Sequence, residues 1–327
     1  MAKPKVFVTR IIPDKGLEII RDFCEVDLWP DELPPSRVEL LLHVHGVEGL
    51  LCLLTDTVDS EAMDEAGPQL KVISNFAVGF NNIDVDAATA RGIPVGNTPD
   101  VLTDATADFA FALMMAAGRR IGEAERYVRA GKWKTWGPRL LLGAEFKGAT
   151  LGLIGFGRIA KAVTRRALGF EMRVIYYDPT EKIQYPDLNA RRVEFAAILE
   201  DSDFISLHTP LTPDTYHLID AEALSRMKPS AVLINTARGP VVDPDALYEA
   251  LKERRIFAAG LDVTDPEPPS LDSPLLTLDN IIIAPHIASA SRTARENMSW
   301  MAAQNLIAGL KGERLPNCVN PEVYSIK

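Results

Sequence analysis

Short apolar runs alternate along this chain with stretches whose apolar residues recur every three or four positions, and the two periods predict different elements. A short apolar run bounded by turn or polar residues reads as a strand covered on both faces, because such a strand has no side to show to water. Lys5–Thr9, Gly49–Leu54 and Lys71–Ser74 are strand candidates of this kind, Glu25–Leu28 is a further strand candidate, and Gly16–Phe23 and Ser36–Val44 between them have helical spacing. A second series follows at Thr150–Ile154, Arg173–Tyr177, Asp203–Leu207, Ala231–Asn235, Ala258–Asp262 and Ile281–Ala284, with helical stretches between most of them. Strand alternating with helix is the pattern of parallel sheets joined by crossover helices, so the predicted class is α/β. A long helix is predicted from Asp100 through Ala117, with Thr103 or Asp104 as its cap and Arg119 and Arg120 at its end. Its length suits a connector between two units. Helical spacing returns over Arg292–Leu310, before a tail containing Pro316 and Pro321.

The fold prediction sharpens around the segment Leu151-Gly-Leu-Ile-Gly-Phe-Gly-Arg-Ile-Ala160. Gly155 and Gly157 follow a strand candidate and precede a helix, and Asp178 closes the next apolar run, 178 − 157 = 21 positions beyond the second glycine. In a dinucleotide site the first glycine permits the tight turn, and the second lets the backbone approach the pyrophosphate. A small third residue, here Ala160, lets helix pack on strand. The helix starting near Arg158 would offer its unpaired N–H groups to the phosphates. A lone glycine string also fits an ordinary turn, and it is the flanking strand, helix and acid that favour the cofactor reading.

A chain of 327 residues suits two domains, although length alone also admits one large barrel. With 35 basic against 45 acidic side chains the formal charge is −10, and no basic run occurs, so nucleic acid and anionic membrane are poor partners. Cys24, Cys52 and Cys318 are odd in number and not at metal-ligand spacing, which argues against a disulfide framework and gives no metal site. The apolar run before Thr9 is too short for a signal peptide or a span, so a soluble cytoplasmic protein is the expectation.

Ligands of an open parallel sheet bind beyond the carboxyl ends of its strands. Three such ends carry chemistry: Arg238 past Ala231–Asn235, Glu267 past Ala258–Asp262, and His286 past Ile281–Ala284. Reduction of a 2-oxo acid by hydride transfer needs these three types. A planar guanidinium binds a carboxylate and polarises a carbonyl. An imidazole, whose ordinary pKa is about 6.5, donates the proton the new alkoxide needs. A carboxylate orients that imidazole. Singly, a loop arginine is usually a surface ion-pair partner, an acid in a proline-rich loop solvated, and a histidine after a strand structural; all three on one edge favour function.

The chain resembles the D-2-hydroxyacid dehydrogenase family, in particular its glyoxylate/hydroxypyruvate reductase branch. Asn75-Phe-Ala-Val-Gly79, Asn97-Thr-Pro-Asp-Val-Leu-Thr-Asp-Ala-Thr106, Gly155-Phe-Gly-Arg-Ile159, Asn235-Thr-Ala-Arg-Gly239, Gly260-Leu-Asp-Val263, Glu267-Pro268 and Pro285-His-Ile-Ala288 fall in family order. The resemblance implies two doubly wound domains. A Rossmann NAD domain (residues 100–290) is inserted into a flavodoxin-like substrate domain (residues 1–99 and 291–327). It implies that Arg238 binds substrate, that Glu267 partners the histidine, and that His286 is the general acid. Backbone N–H groups of Val78 and Gly79 would grip the substrate carboxylate, and Leu53, Leu54 and Trp136 would bound the pocket. Thr106 would lie near the nicotinamide, Asp262 by its carboxamide. Further cofactor contacts are implied at Gly155, Gly157, Arg158 and Ile159, and along His208-Thr-Pro210 with Thr215. Thr236, Ala237, Arg238, His286 and Ala288 complete that implied cofactor set. Trp136 is either an anchor or a residue reaching a partner subunit's site; Trp133 reads as an interface or core anchor. A homodimer is expected.

Two positions depart from the family pattern: Ala160 stands for the commoner third glycine, and Thr264-Asp-Pro266 for the usual aromatic and acidic residues before the catalytic acid. Asp178-Pro-Thr-Glu181, with no base until Lys182, predicts NADH over NADPH, because a carboxylate accepts both ribose hydroxyls and repels a 2′-phosphate. His43 and His45, two apart, suit packing rather than a shared metal, and His217 has no assigned role. The reaction expected is NADH-dependent reduction of a small 2-oxo acid, glyoxylate or hydroxypyruvate. Other 2-hydroxyacid dehydrogenases on this scaffold, or an NADH-responsive corepressor-like binding protein, stay open.

Overall fold

A computed structural model describes residues 2–180 and 186–325. In chain order the elements are β1 (Lys5–Val8), α1 (Asp14–Phe23), β2 (Glu25–Leu28), α2 (Arg37–Val44), β3 (Gly49–Cys52), α3 (Ser60–Ala66), β4 (Val72–Asn75), α4 (Val85–Ala90) and β5 (Val95–Gly96). Then come α5 (Thr103–Gly118), α6 (Ile121–Arg129), β6 (Thr150–Ile154), α7 (Arg158–Gly169), β7 (Arg173–Tyr177), β8 (Ala190–Arg192), α8 (Phe195–Asp201) and β9 (Phe204–Leu207). The chain continues through α9 (Ala221–Arg226), β10 (Val232–Asn235), α10 (Pro244–Lys252), β11 (Ala258–Leu261), β12 (Ile281–Ile283) and α11 (Arg292–Leu310).

The chain divides into two compact units. Residues up to Leu102 together with those from Ala290 onward form one, and Thr103–Ser289 form the other. The first holds a parallel sheet of order β2-β1-β3-β4-β5, the flavodoxin-like order. The second holds a parallel sheet of order β12-β11-β10-β9-β6-β7-β8. Starting from β6, its first six strands stand in the dinucleotide-fold order, with a seventh added at one edge. Its central strands β6, β9, β10 and β11 are buried at every position, as covering on both faces requires.

Local chemistry sets the helix starts. Ser36 and Glu39 form a reciprocal capping box ahead of α2, and Asp59, Asp84, Asp220, Asp243 and Ser291 each cap a helix through a side-chain oxygen. α5 begins at Thr103, which places Thr103 and Asp104 inside the first turn rather than at a cap; Asp104 there pairs with Arg166 of α7 at 3.2 Å.

The structure departs from the periodicity at a few places. The second sheet has seven strands where six were expected, because β8 is a short, polar edge strand defined by its pairing with β7. β3 ends at Cys52 and not Leu54: Leu53 N–H turns aside to the Asp56 carboxylate at 2.7 Å. The short helices α3 and α4 and the two-residue β5 carry too few apolar positions to show a period, and α6 has helical spacing at Ile121, Ala124 and Val128 but no buried residue. Among the described residues no helix is long and apolar enough to cross a membrane.

Candidate active site

At the β6 end Gly155 has φ +85°, in the left-handed region, and its open α-carbon lies against the His208 backbone: a Cβ would sit 2.5 Å from that carbonyl oxygen. Gly157 is different. It is the N-cap of α7 in an ordinary extended conformation (φ −75°, ψ −165°), makes no side-chain cap, and faces open space where a Cβ would meet nothing within 4 Å. A helix N-terminus whose cap residue is a glycine facing open space lets backbone N–H groups meet an anion such as a pyrophosphate. Arg158 and Ile159 form the first turn beyond it, and Ala160 is fully buried against the sheet.

Asp178 follows β7. One carboxylate oxygen accepts the Phe156 N–H at 2.8 Å, and the other accepts the N–H and hydroxyl of Thr180, both at 2.9 Å. The acid is thereby locked beside the glycine turn, and the Arg192 guanidinium donates to the Asp178 carbonyl at 3.1 and 3.3 Å. Glu181 and Lys182 lie outside the described residues. After β9, His208 bonds its Nε2 to Ser206 Oγ at 2.9 Å, and burial holds its imidazole down to about 4. Thr209 and Pro210 begin a loop closed by Thr215, whose hydroxyl donates to the Pro210 carbonyl at 2.7 Å. Thr106 is buried in α5, and the buried Thr236 hydroxyl has no hydrogen-bond partner among the described residues. An orphaned buried hydroxyl, a glycine cradle and a fixed acid are the features expected where a dinucleotide binds.

Asn235, the last residue of β10, shapes the turn carrying Arg238: its Oδ1 accepts Ala237 N–H at 2.9 Å and its Nδ2 donates to the Arg238 carbonyl at 2.8 Å. Gly239 then lets this turn abut the loop after β11, because any Cβ there would overlap the Thr264 carbonyl. Arg238 is largely buried. Burial pushes its guanidinium below its ordinary value, and the charge of Glu267 opposes that shift. Glu267 Oε1 is 2.5 Å from His286 Nδ1, across the 286 − 267 = 19 positions separating them in sequence. A carboxylate only accepts, so the pair holds the proton on Nδ1 and leaves Nε2 as the outward nitrogen.

His286 itself sits at φ +54°, a conformation a non-glycine residue keeps only when its surroundings impose it. Asp262 imposes it: its carbonyl accepts His286 N–H at 2.8 Å and its two carboxylate oxygens accept Ile287 and Ala288 N–H, both at 2.7 Å. Burial raises the Asp262 carboxyl and these two donors oppose the rise. Asp262 thus buttresses the histidine turn, beyond any contact with a cofactor. The Thr264-Asp-Pro266 segment keeps the acid in place, with the Thr264 hydroxyl donating to the Pro266 carbonyl at 2.8 Å.

In the first unit, the loops after β3 and β4 carry Leu53, Leu54, Val78 and Gly79. The Val78 carbonyl accepts from Asn97 at 2.8 Å and the Gly79 carbonyl from Asn75 at 2.9 Å, whereas among the described residues neither N–H donates a backbone hydrogen bond. Trp136 is 78% exposed and Trp133 61%. His43 pairs with Asp27 at 2.6 Å and stacks on Phe7, His45 meets Glu65 at 2.9 Å, and His217 stacks on Tyr216. Sequence reasoning passed over Asn75, Asn82, Asn235 and the Phe156 N–H. The signal available for two of them was a polar amide closing an otherwise apolar strand, which needs partners once buried.

Residues 111–288 match the family model described as "D-isomer specific 2-hydroxyacid dehydrogenase, NAD binding domain". The chain is 53% identical over 99% of its length, and 98% of the relative's, to a glyoxylate reductase of Korarchaeum cryptofilum. A solved structure of a Thermus thermophilus protein superposes with a TM-score of 0.91 at 47% identity, covering 96% of this chain and 99% of that one. An NADPH-dependent glyoxylate/hydroxypyruvate reductase from Sinorhizobium meliloti, solved with NADP and malonate, gives a TM-score of 0.86 at 33% identity, with 97% of each chain covered. With the NAD-binding domain, the whole length and the fold all matching, the chain belongs to the D-isomer specific 2-hydroxyacid dehydrogenase family, in the branch that holds the glyoxylate reductases.

Proposed function

We propose that this oxidoreductase reduces glyoxylate to glycolate and hydroxypyruvate to D-glycerate, with NADH as the preferred reductant. The observation that carries the reading is the 2.5 Å Glu267–His286 pair with Arg238 on the neighbouring strand end. The Arg238 guanidinium binds the 2-oxo acid and draws charge onto its carbonyl oxygen. Within the first unit, the backbone N–H groups of Val78 and Gly79, which make no backbone hydrogen bond among the described residues, are the proposed donors to a substrate carboxylate, and Leu54 is the proposed limit on substrate size. When bound, the nicotinamide supplies a hydride to the carbonyl carbon. His286 then delivers the Nε2 proton to the oxygen, and Glu267 keeps the ring oriented while that proton leaves.

The NADH preference rests on Asp178, whose carboxylate is fixed beside the glycine turn by three donors; facing a ribose, it would repel a 2′-phosphate. Trp133, Trp136, Ile121 and Val128 are all more than half exposed on and after α6, and we assign this apolar face to a homodimer interface. Absorbance at 340 nm with glyoxylate and either cofactor tests the reaction and the preference together. NADH oxidation abolished in His286→Ala, with kcat/KM higher for NADH than for NADPH, is expected. An inactive wild type sinks the reaction, and equal or greater efficiency with NADPH sinks the preference. A monomer mass in sedimentation would refute the dimer.

A further inference from the structure

We propose that Asn82, acting through Asn75, is a positioning residue for substrate: it clamps the Leu53–Leu54 turn to the Val78–Gly79 loop and so sets how tightly the 2-oxo acid carboxylate is held. The inference rests on the reading that those two loops bind the substrate.

The clamp follows from amide chemistry. Asn82 Nδ2 lies 3.0 Å from the Leu53 carbonyl and 3.1 Å from the Asp56 carbonyl. Two carbonyl oxygens can be met only by an NH2, so the Asn82 amide has one orientation, with Oδ1 turned to Asn75. Asn75 Nδ2 donates to that Oδ1 at 3.0 Å and spends its second hydrogen on the Gly79 carbonyl at 2.9 Å. Asn75 is fully buried, so each of these bonds replaces one that water cannot make. The backbone closes the ring: Val58 N–H donates to the Asn82 carbonyl at 2.9 Å. Asp56, itself buried, anchors the far side by accepting Leu53 N–H at 2.7 Å and the Thr9 hydroxyl at 2.5 Å. Both loops therefore move as one body. With the Gly79 and Val78 carbonyls tied back to Asn75 and Asn97, the N–H edge of that loop is held outward.

Asn82→Ala removes both donors and frees the loops from each other. The KM for glyoxylate should rise about 10–100-fold, the size expected when buried carbonyls lose their donors, with kcat within about threefold. The Kd for NADH, whose proposed contacts lie in the other unit, should stay constant by fluorescence titration. Asn82→Ser keeps one donor and should fall between the two, which a general loss of structure would not produce. Oxamate, an unreactive isostere of the 2-oxo acid, gives a readout independent of turnover: its Kd for the NADH-saturated protein, by calorimetry, should rise in step with KM. Unchanged KM and oxamate affinity in Asn82→Ala overturn the clamp, as does a parallel rise in NADH Kd. A wild type that binds oxamate but turns over no glyoxylate refutes the proposed reaction and leaves the clamp to the oxamate result; a wild type that turns over glyoxylate keeps the reaction, and an unchanged KM in Asn82→Ala then overturns the clamp.

Discussion

Gly155→Ala and Gly157→Ala add the same methyl group two positions apart, and the geometry requires opposite consequences. At Gly155 the backbone is left-handed, φ +85°, which costs an alanine about 1–2 kcal/mol. The new Cβ would also lie 2.5 Å from the His208 carbonyl oxygen and 2.8 Å from its carbon, backbone atoms that cannot rotate away, and overpacking of this kind costs about 1–3 kcal/mol. The sum, about 2–5 kcal/mol, corresponds to a Tm lower by about 5–15 °C for a unit of this size. At Gly157 the dihedrals suit any residue and the space is open, so Tm should move by no more than about 2 °C. That open space is the proposed pyrophosphate seat, and a methyl group in it should raise the NADH Kd at least about tenfold, a loss of about 1.4 kcal/mol. Thermal melts of the unliganded variants and a titration of NADH fluorescence separate the two effects. Gly157→Ala binding NADH within twofold of wild type, or Gly155→Ala melting at the wild-type temperature, would show that the glycines do not have these roles.

The catalytic proposal and the His208 imidazole each yield a further test. Glu267→Gln keeps the size of the side chain but replaces the charged acceptor at His286 Nδ1, so kcat with glyoxylate should fall about 10²–10⁴-fold while NADH affinity is kept; a fall of less than tenfold would remove Glu267 from the mechanism. His208 is held near 4 in the fold against about 6.5 when unfolded, so the unfolded chain binds more protons between those values. Stability should therefore drop as pH falls from about 6.5 to about 4, by at most about 3 kcal/mol from this residue. His208→Gln, able to keep the bond to Ser206, should lose that part of the acid dependence; an unchanged slope of Tm against pH would locate the effect elsewhere.

Much of the architecture was legible in the chain because burial on both faces leaves a local mark. β6 and β7 have the bounds their apolar runs predict, and the strand-end positions of Arg238, Glu267 and His286 follow from the parallel winding. Where an element is short, polar or at an edge the mark is absent. β8 is a strand only through its pairing with β7, and α6 is a short helix of which no residue is buried.

By itself, the sequence determined which apolar segments form the central strands, where the glycine turn falls, and that a cation, an acid and an imidazole follow successive strands. Tertiary structure decided which atoms meet. The Glu267–His286 bond, the Asp262 buttress and the bond from Asn82 to the Leu53 carbonyl each join loops far apart in the chain, and a hydrogen bond depends on the position and orientation of both partners. Hydrophobic period is a property of one segment and can be read locally; the partner of a buried polar group is a property of two, and is set only when the sheets have brought their loops together.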